Sequence, residues 1–168
     1  MGSWLVFIVV GALGFQVSQG KPEGMKALEF LLGHWTSQER VTPPSGEPFE
    51  FTLQGENKWI LGGAALQIDE SFEPAGQPRQ YNHIVVLFDA RGKNYRMYWF
   101  TQNRSQPIDF EGQWQGEKLV FQTLEGSPGT PLRITYEPKS AGAYDATLEV
   151  KVGEEFRVRT LAHYTKKS

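Results

Sequence analysis

Residues 28–35 read Leu-Glu-Phe-Leu-Leu-Gly-His-Trp, and within them the sequence changes from helical to strand periodicity. Apolar residues at positions 25, 28, 31 and 32 recur at helical spacing and predict one buried helix face. Gly33 is placed to end that helix, since glycine is common directly after a last helical turn. We therefore expect a short helix that closes one end of the fold, with Trp35 opening the first strand.

From Trp35 onward, apolar and polar residues alternate in short segments separated by turn signals. Phe49, Phe51 and Leu53 alternate with polar neighbours in one such segment, and Ile108 and Phe110 do so in another. About ten segments of this kind, without helical periodicity between them, are typical of a β-sandwich or β-barrel. Consecutive hairpins favour closure, because a closed barrel has no exposed sheet edges. The sequence therefore predicts an all-β fold, a roughly ten-stranded antiparallel up-and-down barrel with one short N-terminal helix.

The composition excludes several classes of function. The chain has 168 residues, of which 39% are hydrophobic, which is enough for one domain with its own core. Its formal net charge is −2 and no block of like charge stands out, so we expect no nucleic-acid binding. The chain contains no cysteine. Disulfides, thiolate catalysis and cysteine-based metal sites are therefore excluded.

The N-terminus carries the features of an export signal. Residues 4–15 form an apolar run that is shorter than the roughly 20 residues needed to span a bilayer. Ser18 and Gly20 suit cleavage after Gly20, which predicts a signal peptide at 1–20 and a barrel domain at 21–168. We expect an exported, periplasmic or secreted protein with no stable membrane span after cleavage. Because no Lys or Arg precedes the run, an uncleaved anchor or a misplaced start codon stays open as an alternative.

Two motifs carry a family resemblance. Residues 28–35 contain Leu-x-Phe-Leu-x-Gly-x-Trp, and residues 59–66 contain Trp-x-Leu-Gly-Gly-x-x-Leu. The chain resembles a family of small, often exported bacterial lipocalin-like proteins of unknown function, and more distantly lipocalins, fatty-acid-binding proteins and nitrobindins. The resemblance implies a calycin-like barrel over the mature chain and brings no established activity. It further implies that Gly33 and Trp35 close the barrel, with a late arginine, Arg157 or Arg159, over the indole ring.

The sequence favours a non-enzymatic protein that binds a small apolar or amphipathic molecule inside the barrel. A barrel of this strand number can enclose a ligand. The residues expected to line its cavity are Trp59, Leu66, Leu87, Met97, Trp99, Phe110, Leu148 and Arg159. By the resemblance to fatty-acid-binding proteins, Arg159 would pair with a ligand carboxylate. No nucleophile motif, phosphate-binding loop or paired histidine spacing is found, so we expect no catalytic residues, no metal and no cofactor.

The carboxylates of Asp69, Glu70, Asp109 and Glu111 invite an acid–base interpretation. They come from separate strands, and the sequence alone does not show that any two of these carboxylates lie close to each other in the fold. Asp69 shares a strand face with Gln67, which favours a solvated surface.

Two alternatives to the carrier hypothesis stay open. In the first, the barrel is an enzyme that binds haem as nitrobindins do, with His163 as the ligand; the strand period puts His163 on one face with Arg157, Arg159 and Leu161. In the second, the barrel is filled by its own side chains and acts as a structural or partner-binding module. The sequence predicts no particular oligomeric state.

Overall fold

Ten antiparallel strands form one closed barrel. The structure, a computed structural model, describes residues 22–74 and 76–167, so the predicted signal peptide at 1–20 lies outside the described residues. The strands are β1 (Gly33–Val41), β2 (Phe49–Ile60), β3 (Ala65–Phe72), β4 (Gln80–Asp89), β5 (Asn94–Thr101), β6 (Ile108–Gln115), β7 (Lys118–Thr123), β8 (Leu132–Ser140), β9 (Ala143–Val152) and β10 (Glu155–Lys166). Each strand pairs with the next along the chain, and β10 closes the sheet on β1. The predicted fold class is confirmed.

The expected helix is divided into two short turns. One α-helical turn, α1 (Glu23–Lys26), is followed by a 3₁₀ turn at Glu29–Leu31. Met25, Leu28 and Leu31 are all at most 1% exposed, so both turns bury the apolar face that the spacing predicts. Within the described part of the chain, no helix is long and apolar enough to cross a membrane.

Trp35 joins these turns to the barrel. Its side chain is 1% exposed, and its indole Nε1 donates a hydrogen bond of 2.7 Å to the Leu31 carbonyl oxygen. Asn57 Nδ2 donates to the same oxygen, also at 2.7 Å. The ring packs edge-on against Tyr144, with 4.7 Å between centroids. We call this end of the barrel the helix end.

The cation over the indole ring is a lysine. Lys166 Nζ lies 5.6 Å from the Trp35 ring centroid, and the two residues are partners in the β1–β10 ladder. Arg157 pairs with Val150 near the opposite end of β10 and is exposed. Because β10 runs antiparallel to β1, its first residues lie far from the start of β1, and the structure does not bring Arg157 to Trp35.

The half of the interior next to the helix end is filled with large side chains. Met97, Phe110, Leu119 and Phe121 are completely buried. Gly112 makes room for one of them, because a Cβ at this position would lie 2.3 Å from the Phe121 ring. Any residue with a Cβ at this position would therefore displace the Phe121 ring.

The longer connections lie at the opposite end, which we call the loop end. Up-and-down topology places alternate connections at the same end of the barrel. The helix end has the short connections 61–64, 90–93, 116–117 and 141–142. The loop end has 42–48, 73–79, 102–107, 124–131 and the short 153–154. Binding residues are disproportionately found near long loops held by a rigid scaffold, so the loop end is where a ligand is expected to enter.

Trp35→Ala tests the role of the tryptophan. We expect the free energy of unfolding to fall by about 3–5 kcal/mol, since the change leaves a large cavity and removes a buried hydrogen bond. Chemical denaturation followed by circular dichroism measures this. The matched control is Lys166→Met, which removes only the cation above the ring and should cost less than about 1 kcal/mol. Equal losses in the two variants would contradict this account.

Candidate functional site

A cavity of about 80 Å³ lies inside the barrel, above the filled half. Its polar lining includes Glu39 on β1, Glu70 on β3, and Tyr136 and Tyr164 on β8 and β10, together with two threonines, Thr147 and Thr160. Glu39 faces inward because it alternates along β1 in step with the buried Trp35. We call the group formed by Glu39, Glu70 and Tyr164 the carboxyl cluster.

One hydroxyl joins the two carboxyl groups. Tyr164 Oη lies 3.2 Å from Glu39 Oε1 and 3.1 Å from Glu70 Oε1. Asn82 Nδ2 donates a hydrogen bond of 3.0 Å to the other oxygen of Glu70. The Tyr164 ring is itself fixed by stacking on Tyr144, with 4.4 Å between centroids. The cluster is therefore held on several sides by packed or hydrogen-bonded groups.

The cluster retains a proton at neutral pH. A tyrosine hydroxyl carries one hydrogen, so it can donate to only one of the two carboxyls. The other contact is a hydrogen bond only when that carboxyl is protonated and donates to Tyr164 Oη. Burial raises the pKa of Glu39 to about 8, and the nearby charge of Glu70 adds to the shift. Burial also raises the pKa of Glu70, although hydrogen bonds from Asn82 and Tyr164 oppose it.

The walls around the carboxyl cluster are apolar. Ile84, Trp99 and Leu148 line the cavity, and Trp99 Nε1 is buried without a hydrogen-bond partner among the described residues. Nearer the loop end, Phe51 and Phe72 stack with 4.9 Å between ring centroids. The site therefore combines a polar floor with apolar walls, which suits an amphipathic molecule.

The expected cavity residues fall into three groups. Trp99 and Leu148 line the cavity. Leu66, Met97 and Phe110 are completely buried in the packed core, and Trp59 is partly buried against it. The remaining two, Leu87 and Arg159, lie outside the cavity. Leu87 alternates with the buried Val86 and so points to the outer face. Arg159 Nη1 donates a hydrogen bond of 2.7 Å to the Thr42 carbonyl oxygen.

His163 also lies on the outer face of the barrel. Its side chain is 59% exposed, and Nδ1 is 2.6 Å from Asp145 Oδ1. It therefore does not reach a haem held in the interior. Among residues 22–74 and 76–167, no group of three histidine or acidic side chains is arranged to hold a metal ion.

A second concavity, of about 690 Å³, lies on the outer wall across β2 to β5. Asp69 and His83 face it, with Asp69 Oδ1 2.6 Å from His83 Nδ1. Burial would raise the pKa of Asp69, but hydrogen bonds from His83 and Gln67 outweigh it and lower that pKa. The aromatic rings of Tyr81 and Phe100 are 52% and 43% exposed beside this pair. Glu70 borders both this open groove and the interior cavity.

Sequence reasoning missed Glu39 and Tyr164 as site residues. The signal for Glu39 was its position: it shares the inward face of β1 with Trp35 and Ser37, where a charged residue is unusual. Tyr164 gave no such signal, because a tyrosine on a core face is ordinary.

The comparisons with known proteins concern the fold. No protein-family model and no curated protein matches the sequence. The crystal structure of Rv2717c from M. tuberculosis superposes with a TM-score of 0.68 at 13% identity, covering 89% of this chain and 100% of that one. The S-type phycobiliprotein lyase CPES from Guillardia theta gives a TM-score of 0.65 at 9% identity, covering 92% and 98%. The fold is that of a calycin-like barrel. At these identities the likeness shows the shared fold alone.

The shifted carboxyl should make the stability of the protein depend on pH. The pKa of Glu39 is higher in the folded state than its ordinary value of 4.5, so the stability it contributes is present in acid and is lost as pH rises towards about 8. We expect the free energy of unfolding to fall by on the order of 3 kcal/mol between pH 5 and pH 8. Urea denaturation across this range measures the fall.

Glu39→Gln should reduce this dependence, because the amide does not titrate. Glu117→Gln, in the exposed turn between β6 and β7, is the control and should keep the full dependence. If Glu39→Gln shows the same fall as the unmodified protein, the raised pKa is not a property of Glu39.

Proposed function

We propose that this protein is a non-enzymatic carrier that binds a small amphipathic molecule in the barrel interior, head first from the loop end. The observation that supports it is the polar floor at Glu39, Glu70 and Tyr164 beneath the apolar walls at Trp99 and Leu148. Ligand sites are mostly apolar with a few converging polar groups, and this cavity has that character.

The size of the cavity limits how much of the ligand it encloses. Its 80 Å³ is well below the roughly 300–1,000 Å³ of a pocket that surrounds a whole drug-sized molecule. The head group of the ligand therefore occupies the cavity, and its apolar body extends towards Phe51 and Phe72 at the loop end. The partial exposure of Trp99 and Leu148 is consistent with such an entry path.

The structural neighbours support ligand binding at the level of the fold. CPES, described as a phycobiliprotein lyase, has a similar barrel, and this likeness suggests a small ligand such as a bilin. A whole bilin is larger than the cavity described above, so only one end of such a molecule would enter it. The cavity therefore selects a ligand by the chemistry of its head group.

The carrier is proposed to act outside the cytoplasm, after removal of residues 1–20. Ser18 and Gly20 support cleavage after Gly20. Intact mass spectrometry of the protein from its native compartment should therefore give a chain that begins at Lys21. A chain that still carries the apolar run at residues 4–15 would contradict export with cleavage.

Filling the cavity should abolish ligand binding. Ala162 is 8% exposed and lines the cavity, so Ala162→Leu should place additional methyl groups inside it. The matched control is Leu161→Ala, which changes the adjacent, 53% exposed residue on the outer face. We expect native mass spectrometry to detect a co-purifying molecule on the unmodified protein and on Leu161→Ala, and none on Ala162→Leu.

The same proteins are also titrated with 1-hexanol and followed by NMR shifts near the cavity. Thermal unfolding confirms that each variant is folded. The carrier proposal fails if the unmodified protein shows neither a bound mass nor shifts on titration, or if Ala162→Leu behaves as the unmodified protein does.

A further inference from the structure

We infer that the carboxyl cluster recognises a primary ammonium group, so that the ligand is an amphipathic amine with an apolar body. This inference rests on the carrier function proposed above and names the ligand class for the same cavity. It follows from the kind, number and surroundings of the oxygen atoms at the polar floor.

The cluster offers converging acceptors. Tyr164 Oη lies within 3.2 Å of one carboxyl oxygen of Glu39 and one of Glu70, so three oxygen atoms from three side chains lie close together. An ammonium group has three N–H donors and no acceptor. Hydrogen bonds between an ammonium group and carboxylates are charge-assisted and are about twice as strong as neutral ones. The small cavity favours a compact head group of this kind over a guanidinium.

A buried hydroxyl beside the cluster is also without a partner. Ser37 is completely buried, and its Oγ has no hydrogen-bond partner among the described residues. It lies on the same inward face of β1 as Glu39 and is the ladder partner of Tyr164. A buried polar group without a partner is costly. Ser37 does not itself line the cavity, so its hydroxyl adds to the polar atoms packed behind the cluster and makes no direct ligand contact.

The described lining of the cavity supplies no cation of its own. It contains the two glutamates but no lysine, arginine or histidine side chain. Glu39 is buried and Glu70 beside it is half-buried, so ionising them without a positive partner carries a desolvation cost. A bound ammonium group provides the missing charge, whereas a ligand carboxylate is repelled once the cluster is ionised. This is the reverse of the arginine–carboxylate pairing expected from the fatty-acid-binding resemblance.

Proton exchange should accompany the binding of an amine. The groups that face Glu39 are Glu70 on β3, Tyr136 on β8, Tyr144 on β9 and Tyr164 on β10. Burial raises the pKa of all three tyrosines, so they stay uncharged near neutral pH. The proton that an ammonium group displaces therefore comes from a glutamate. Because the pKa of Glu39 is about 8, affinity for an amine should rise with pH up to that value.

The test compares three ligands that share one apolar body: hexylamine, 1-hexanol and hexanoate. Each is titrated into the mature protein near pH 8 and followed by NMR. We expect hexylamine to bind at least about tenfold more tightly than the other two, because it alone forms charge-assisted hydrogen bonds with the cluster. Glu39→Gln and Glu70→Gln should each lose this preference while still binding 1-hexanol. Glu117→Gln, on the surface, should keep the full preference.

A second measurement does not depend on variants. Calorimetry of hexylamine binding in phosphate and in HEPES buffer, neither of which contains a primary amine, counts released protons, and we expect release with hexylamine and none with 1-hexanol. The affinity for hexylamine should rise about tenfold per pH unit between about pH 6 and pH 7.5 if one proton is displaced.

The outcomes separate this inference from the carrier function. If 1-hexanol or hexanoate binds as tightly as hexylamine, or if hexylamine binds without proton release, the ammonium assignment is overturned and the carrier function stands. If none of the three ligands binds, the ammonium assignment is overturned, and the carrier function is overturned with it when native mass spectrometry also finds no co-purifying molecule.

Discussion

The carbonyl oxygen of Leu31 is the point on which the architecture depends. It accepts hydrogen bonds from the indole of Trp35 and from the amide of Asn57, each at 2.7 Å. The short helical segment is thereby attached to the first two strands, and the aromatic side chains above it pack against a fixed base. Because this base and the core on it fill one half of the interior, the cavity that the described residues enclose lies in the other half. The position of the cavity is thus a consequence of how the barrel is closed.

The alternation of apolar residues was sufficient to predict the barrel, but it did not predict which side chains of the last strand point inward. A strict period of two put Arg157 and His163 on one face. The register shifts between Val158 and Thr160, so that Arg157 is opposite the inward Val150 whereas His163 is opposite the outward Asp145. A β-bulge inserts one extra residue, so every side chain after it points to the opposite face from the one that strict alternation predicts. The sequence around this bulge carries no distinctive turn residue that would reveal it.

The site was harder to predict because its parts are remote in the chain. Tyr164 contacts two carboxyls that are 125 and 94 residues away from it in sequence. Each residue taken alone has an ordinary interpretation, and only closure of the sheet brings the three together. Glu39 and Glu70 each alternate along their strands in step with buried residues, so their positions were already unusual for charged side chains. The sequence therefore predicted two residues that do line the interior cavity, Trp99 and Leu148, whereas the polar side of that cavity became visible only in the folded structure.

The pairing of the first and last strands also determines when the cavity can exist. Bringing together segments that are more than a hundred residues apart has a higher entropic cost than forming any neighbouring hairpin. We therefore expect the seam between β1 and β10 to close last during folding. Glu39 and Tyr164 lie on opposite sides of that seam. On the proposed carrier function, a chain whose β1–β10 seam is still open has no complete binding site, and a ligand can bind only after the barrel has closed.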